Sequence, residues 1–148
     1  MSVLVFTLAI STNSYSFSTV LPTNFVRLPT LSIFRVGANR IEGLLPMFEN
    51  VAEISLAFNS MYGSIPTEYG LLGNLTSLQL DNNPSISGTV PTELIGCDQL
   101  NLISIFDTGI AGNISFCDSF SENFTVSVRN ASICGEECDC CCVDTFIY

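Results

Sequence analysis

The chain has 148 residues and a mass of 16.0 kDa, enough for one domain or a short repeat array. It carries 14 acids against four arginines, a net charge of −10, and it lacks lysine, histidine and tryptophan. These absences exclude Ser-His-Asp and Cys-His catalysis, histidine-bearing zinc sites and a basic surface for nucleic acid. With 47% apolar and 12% charged residues the chain is not disordered by composition, and no apolar run approaches the length of a membrane span.

The first predicted element is the apolar run Val3–Ile10. It reads either as the apolar part of a signal peptide or as the first strand of a repeat. No positive charge precedes it, and its phase continues into the downstream segments, so the repeat is the favoured reading. With Asn13 as anchor, Val5, Leu8 and Ile10 stand at −8, −5 and −3. Asn39 has Leu31, Phe34 and Val36 at the same offsets, and Asn59 has Val51, Ile54 and Leu56. Asn83 has Leu75, Leu78 and Leu80, and Thr108 has Leu100, Ile103 and Ile105. The half that comes after each anchor also recurs: Ile41, Gly43, Leu45, Pro46; then Met61, Gly63, Ile65, Pro66. After Asn83 the series is displaced by one residue, to Ile86, Gly88, Val90 and Pro91; after Thr108 it runs Ile110, Gly112, Ile114 and ends without proline. From Asn39 onward the anchors are 20, 24 and 25 residues apart.

The unit is LxxLxLxxNxLxGxIP. Its LxL triplet predicts a short strand whose leucines face a core and whose intervening residue faces outward. One turn cannot bury its own apolar face, so the turns stack and their strands pair in parallel. Asn13, Asn39, Asn59 and Asn83 form a ladder whose amides satisfy the backbone of the turning chain, and Thr108 is predicted to be its weaker rung. Gly43, Gly63, Gly88 and Gly112 allow backbone angles or close approach that a Cβ blocks, and each proline ends a strand-like segment.

This unit resembles the plant-type leucine-rich repeat of receptor-like kinases, receptor-like proteins and secreted glycosidase inhibitors. The segment from Ile65 through Leu80 matches it closely, and the match covers about residues 3–115. The resemblance implies an α/β-type repeat fold, a right-handed leucine-rich-repeat solenoid of strands and turns with little helix. It has about five repeats over residues 1–115, the first irregular, and a C-terminal cap over 116–148. It also implies a concave parallel sheet, often a second small sheet, and partner binding outside the core. The cysteine-tryptophan cap that precedes the first repeat in plant relatives is missing. A truncated start or an open sheet edge at the first strand, available for pairing, is the consequence.

Beyond residue 115 the pattern breaks. Val126 and Val128 suit one last strand, and Cys134, Cys138, Cys140, Cys141 and Cys142 then fall within nine residues. With Cys117 these are the disulfide candidates of a terminal cap. A thiolate metal cluster is the sharp alternative, although adjacent cysteines are not the usual zinc spacing. Seven cysteines leave one over; Cys97, at −11 from Thr108 where other repeats have Leu28, Phe48 and Leu72, is expected to be a buried free thiol. The order of repeats, lone cysteine and CxCCC run resembles secreted leucine-rich repeat proteins of microalgae. Clustered cysteines and four N-x-[ST] sequons, at Asn74, Asn113, Asn123 and Asn130, point to a secretory route and an extracellular or cell-surface location.

The outward strand positions supply the candidate site. At −4 stand Arg35, Ser55, Gln79 and Ser104; at −2 Gly37, Ala57, Asp81 and Phe106; at −1 Ala38, Phe58, Asn82 and Asp107. Exposed aromatics beside polar groups form a binding patch, so Arg35, Phe58, Gln79, Asp81 and Phe106 are the expected contacts. Arg27, Arg35 and Arg40 either hold an anion of a ligand or balance Glu42, Glu49 and Glu53, the latter being favoured. A calcium site around Asp139 and Asp144 lacks any EF-hand-like spacing. The expected function is a non-enzymatic recognition module that binds a protein, peptide or glycan on the concave face, alone or as a fragment of a larger receptor. A structural or adhesive element of an extracellular matrix or cell wall is the alternative. No catalytic residue, metal or cofactor is expected, nor any transmembrane segment in this chain.

Overall fold

The computed structural model describes residues 7–9, 18–21, 29–112, 124–128 and 141–144, with the backbone alone at 7–9, 18–19 and 141–144. Two parallel sheets line opposite sides of a stack of turns. The larger has seven strands, in the order β1 (Thr7–Ala9), β3 (Ile33–Arg35), β5 (Glu53–Ser55), β7 (Ser77–Gln79), β9 (Leu102–Ser104), β11 (Thr125–Val128) and β12 (Cys141–Asp144). The smaller has five: β2 (Ser18–Thr19), β4 (Arg40–Leu44), β6 (Ser60–Gly63), β8 (Asn83–Gly88) and β10 (Thr108–Ile110). Among the described residues helix is confined to two short 3-10 turns, Thr67–Leu71 and Thr92–Gly96, which return the chain after Pro66 and Pro91. No helix among them is long and apolar enough to cross a membrane.

The register of the large sheet reproduces the repeat offsets. Leu8, Phe34, Ile54, Leu78, Ile103 and Val126 align across it. The run at the N-terminus therefore contributes a strand in repeat phase, and β2 joins the small sheet although its sequence departs from the pattern. Val126 and Val128 lie in β11 as expected. The sequence did not foretell β12, which brings the backbone of Cys141 and Cys142 alongside Thr125 and Val126.

Each described column of the pattern is buried: Leu31, Val51, Leu75 and Leu100 at −8; Val36, Leu56, Leu80 and Ile105 at −3; Ile41, Met61, Ile86 and Ile110 in the small sheet. Phe48, Leu72 and Cys97 occupy one further column, and Phe34, Phe48 and Tyr69 pack ring to ring at 5.1 and 6.1 Å. The Tyr69 hydroxyl, carried into the core, donates to the Pro46 carbonyl at 2.7 Å. Cys97 is a free, buried thiol whose S–H donates to the Tyr69 carbonyl at 3.1 Å. Burial pushes its pKa up, and that of Tyr69 as well.

The two 3-10 turns touch through backbone. A Cβ on Gly70 would lie 2.1 Å from the Glu93 carbonyl oxygen, and one on Gly96 would lie 2.6 Å from that of Gly70. Glycine there serves close approach, whereas Gly43, Gly63, Gly88 and Gly112 all have positive φ, the first of the two roles the repeat pattern allowed.

Candidate functional site: the outer face of the large sheet

The Asn ladder sets the geometry of this face. Asn59 donates to the Val36 and Leu56 carbonyls at 3.0 and 2.9 Å and accepts from the Ile41 amide at 3.0 Å. Asn83 repeats this one turn on, with Leu56, Leu80 and the Met61 amide at 3.0, 2.9 and 2.9 Å. Both asparagines thus tie their own turn to the one before, and both are buried. Asn39 donates to Val36 and Gly37. Thr108 reaches only within its own turn, donating to Ile105 at 2.7 Å and accepting distantly from Ile110 at 3.4 Å. The pairing of β8 with β10 slips beside it, where the extra residue after Asn83 is accommodated. Asn13 lies outside the described residues.

Just before each ladder residue the backbone turns left-handed. Ala38, Phe58, Asn82 and Asp107 have φ of 58°, 57°, 54° and 51°. Asparagine and aspartate tolerate this conformation; alanine and above all phenylalanine do so at a cost. Phe58 is also 58% exposed. The structure therefore keeps a bulky aromatic in a strained backbone and in solvent, where it adds little to the core.

The sequence-predicted contacts share this face. Arg35, Ser55, Gln79, Ser104 and Ser127 align in one column. Arg35 is committed to Glu53: Nε and Nη2 donate to the two carboxylate oxygens at 2.5 and 2.6 Å, which raises the arginine pKa further. The arginine thus balances an acid, as favoured from sequence. Gln79 accepts from Ser55 at 3.3 Å and donates to Ser77 at 3.2 Å. Asp81 is the hub. Its backbone carbonyl accepts the Phe58 amide at 2.8 Å, and its Oδ1 accepts the Ser104 hydroxyl at 2.6 Å and the Phe106 amide at 2.9 Å. Asp81 thereby sits between the two aromatic residues and is bonded to both. Beside it, Asn82, Pro84, Asp107 and Thr108 line an open depression at the ends of the strands.

Sequence reading missed the −6 column. Ile33, Glu53, Ser77, Leu102 and Thr125 align one residue before the core column and lie on the same side as the −4 positions. Strict alternation about the −5 anchor was the signal that would have found them. Arg40 is exposed on β4, in the other sheet, away from this face. Arg27, Cys117, Cys134, Cys138, Cys140 and Asp139 lie outside the described residues, as do the sequons at Asn113, Asn123 and Asn130. Asn74 is described and exposed. Among the described residues no group of His, Cys, Asp or Glu is arranged to hold a metal ion.

No profile of a known protein family matches the chain, and no curated protein matches it. Solved structures do. The BIR2 ectodomain from Arabidopsis thaliana superposes with a TM-score of 0.65 at 23% identity, over 84% of this chain and 68% of that one. The leucine-rich repeat ectodomain of the receptor kinase SOBIR1, also from Arabidopsis thaliana, gives 0.63 at 21%, over 84% and 67%. The plant peptide hormone receptor RGFR1, in complex with RGF2, gives 0.66 at 30%, over 76% of this chain. The chain spans only 19% of that receptor. Two stacked parallel sheets, an asparagine ladder and these superpositions agree: the chain folds as a plant-type leucine-rich repeat protein.

Proposed function

We propose that the chain is an extracellular, non-enzymatic recognition module that binds a peptide or a protein segment on the outer, concave face of its seven-stranded sheet. The observation that carries this reading is Phe58, exposed and held in a left-handed backbone conformation. Strain of this kind persists where it serves a site. Asp81, whose carbonyl accepts the Phe58 amide, and Gln79 on the neighbouring strand supply polar groups beside this aromatic anchor, and Phe106 stands one rung beyond Asp81. The receptor RGFR1, a structural neighbour, was solved with a peptide hormone, which supports a peptide over a glycan as ligand class. The sequon at exposed Asn74 and the terminal cysteines fit a secreted or surface-displayed chain, with Cys117, Cys134, Cys138, Cys140, Cys141 and Cys142 as the candidate cross-links of the cap.

The test is a pair of substitutions, Phe58→Ala and Phe106→Ala, in secreted protein. Each is expected to weaken ligand capture at least tenfold while the Phe58 variant keeps the parental thermal melt. Undiminished binding in both would exclude this face and leave the repeats as a structural or adhesive spacer.

A further inference from the structure

We infer that the ligand is an extended peptide bearing an arginine, whose guanidinium docks on Asp81 between Phe58 and Phe106. The inference rests on the concave-face reading and adds the chemistry of the ligand. Asp81 is bonded to both aromatic residues through its carbonyl and its Oδ1. Its Oδ2 has no hydrogen bond to a described residue, and no described cation contacts the carboxylate; the ion pair among the described residues is Arg35 with Glu53. Among the described residues, the binding face thus carries a carboxylate that no cation contacts.

The flanking groups select the kind of cation. A planar guanidinium stacks on aromatic faces while its N–H groups reach a carboxylate; a compact, strongly hydrated ammonium does this less well. Phe58 and Phe106 stand two rungs apart, about 10 Å at the spacing of parallel strands, a span of about three residues of extended peptide. The chain's net charge of −10 favours approach of a basic segment over an acidic one. The depression lined by Asn82, Pro84, Asp107 and Thr108 continues from the same rungs and receives the neighbouring ligand residue.

The experiment is selection of a displayed random octapeptide library on the full chain, with synthesis of the most enriched peptides. Each is made with arginine and with citrulline, a neutral isostere, and titrated against the parent, Asp81→Asn, Phe58→Ala and Glu68→Gln. The side-chain amide oxygen introduced by Asp81→Asn can still accept from Ser104 and Phe106, so the fold has what it needs. Glu68 is exposed on the first 3-10 turn, away from the sheet. Expected are arginine-bearing peptides that lose at least tenfold in affinity on citrulline exchange. Asp81→Asn should lose the same factor and no longer distinguish the two peptides, with Glu68→Gln unchanged. Peptides that depend on Phe58 but bind equally with citrulline would overturn the arginine inference and leave the concave-face reading standing. No enriched peptide, or binding indifferent to Phe58→Ala, would overturn both. So would a concentration-dependent dimer that Phe58→Ala dissolves, since a second copy would then occupy the face.

Discussion

At the scale of single residues the informative feature is the left-handed position before each ladder residue. Ala38 and Phe58 hold there a conformation that glycine adopts freely, and Ala38 is exposed with little packing to lose. Ala38→Gly should therefore stabilise the protein by about 1 kcal/mol in urea denaturation, because the native backbone is relieved by more than the unfolded chain gains in freedom. Ala57, one residue before Phe58, is absent from the positive-φ set, so Ala57→Gly should destabilise by about 0.5–1 kcal/mol. Equal effects of the two would show that the turn does not impose its backbone conformation. Phe58 carries the same strain as Ala38 with a large exposed ring, which is why a binding role explains it better than a packing one.

At the scale of elements, stability passes from turn to turn through the ladder. Asn83 supplies an acceptor to the Met61 amide and donors to two carbonyls, all buried. Asn83→Ala strands these groups and should cost about 2–4 kcal/mol. Thr108 makes no such bridge to the preceding turn. Thr108→Asn is expected to add about 1 kcal/mol by reaching the Leu80 carbonyl, as Asn83 reaches Leu56. Slower amide exchange in β9 and β10 of the Thr108 variant would report the new bond; unchanged exchange would mean that the extra residue in β8 holds the two turns too far out of register.

At the scale of the whole molecule, the stacked turns share one core, and among the described residues Tyr69 and Cys97 are ionisable groups that lie inside it. Tyr69 and Cys97 both have raised pKa values, caused first by burial. Unfolding returns them toward ordinary values of 10.0 and 9.0, so above about pH 9 the unfolded chain binds fewer protons than the folded one. Stability is then full below about pH 9 and falls as pH rises. Urea midpoints should be flat from about pH 7 to 8.5 and decline beyond. Tyr69→Phe should flatten the decline above about pH 10, at the cost of the hydroxyl bond to Pro46. Native Cys97 should also resist alkylation until the protein unfolds, because only the thiolate reacts and the core excludes it.

Apart from β2 and β12, the strands, their parallel pairing, the buried columns, the places that require glycine and the weak Thr108 rung were legible in the sequence. They arise from local periodicity repeated in each turn, and stacking converts one repeat's pattern into that of the whole. The structure also bore out Cys97 as a core thiol, in the column that holds Leu28, Phe48 and Leu72 in the three turns before it. What no single repeat encodes is contact between different turns. The bond from Asp81 to the Phe106 amide, the choice of Glu53 among the nearby acids as the partner of Arg35 and the backbone contact of Gly70 with Glu93 each join residues 18 to 25 apart in sequence. Glycine at 70 could not be foretold because Ile95 occupies the equivalent place in the next turn. The sequence by itself determined the solenoid, because its free energy comes from burying a periodic apolar face. The order of Phe58, Asp81 and Phe106 along the stack follows from the repeat, but only the tertiary structure decided which atoms meet, because the left-handed turn and the register between rungs bring both phenylalanine amides onto Asp81.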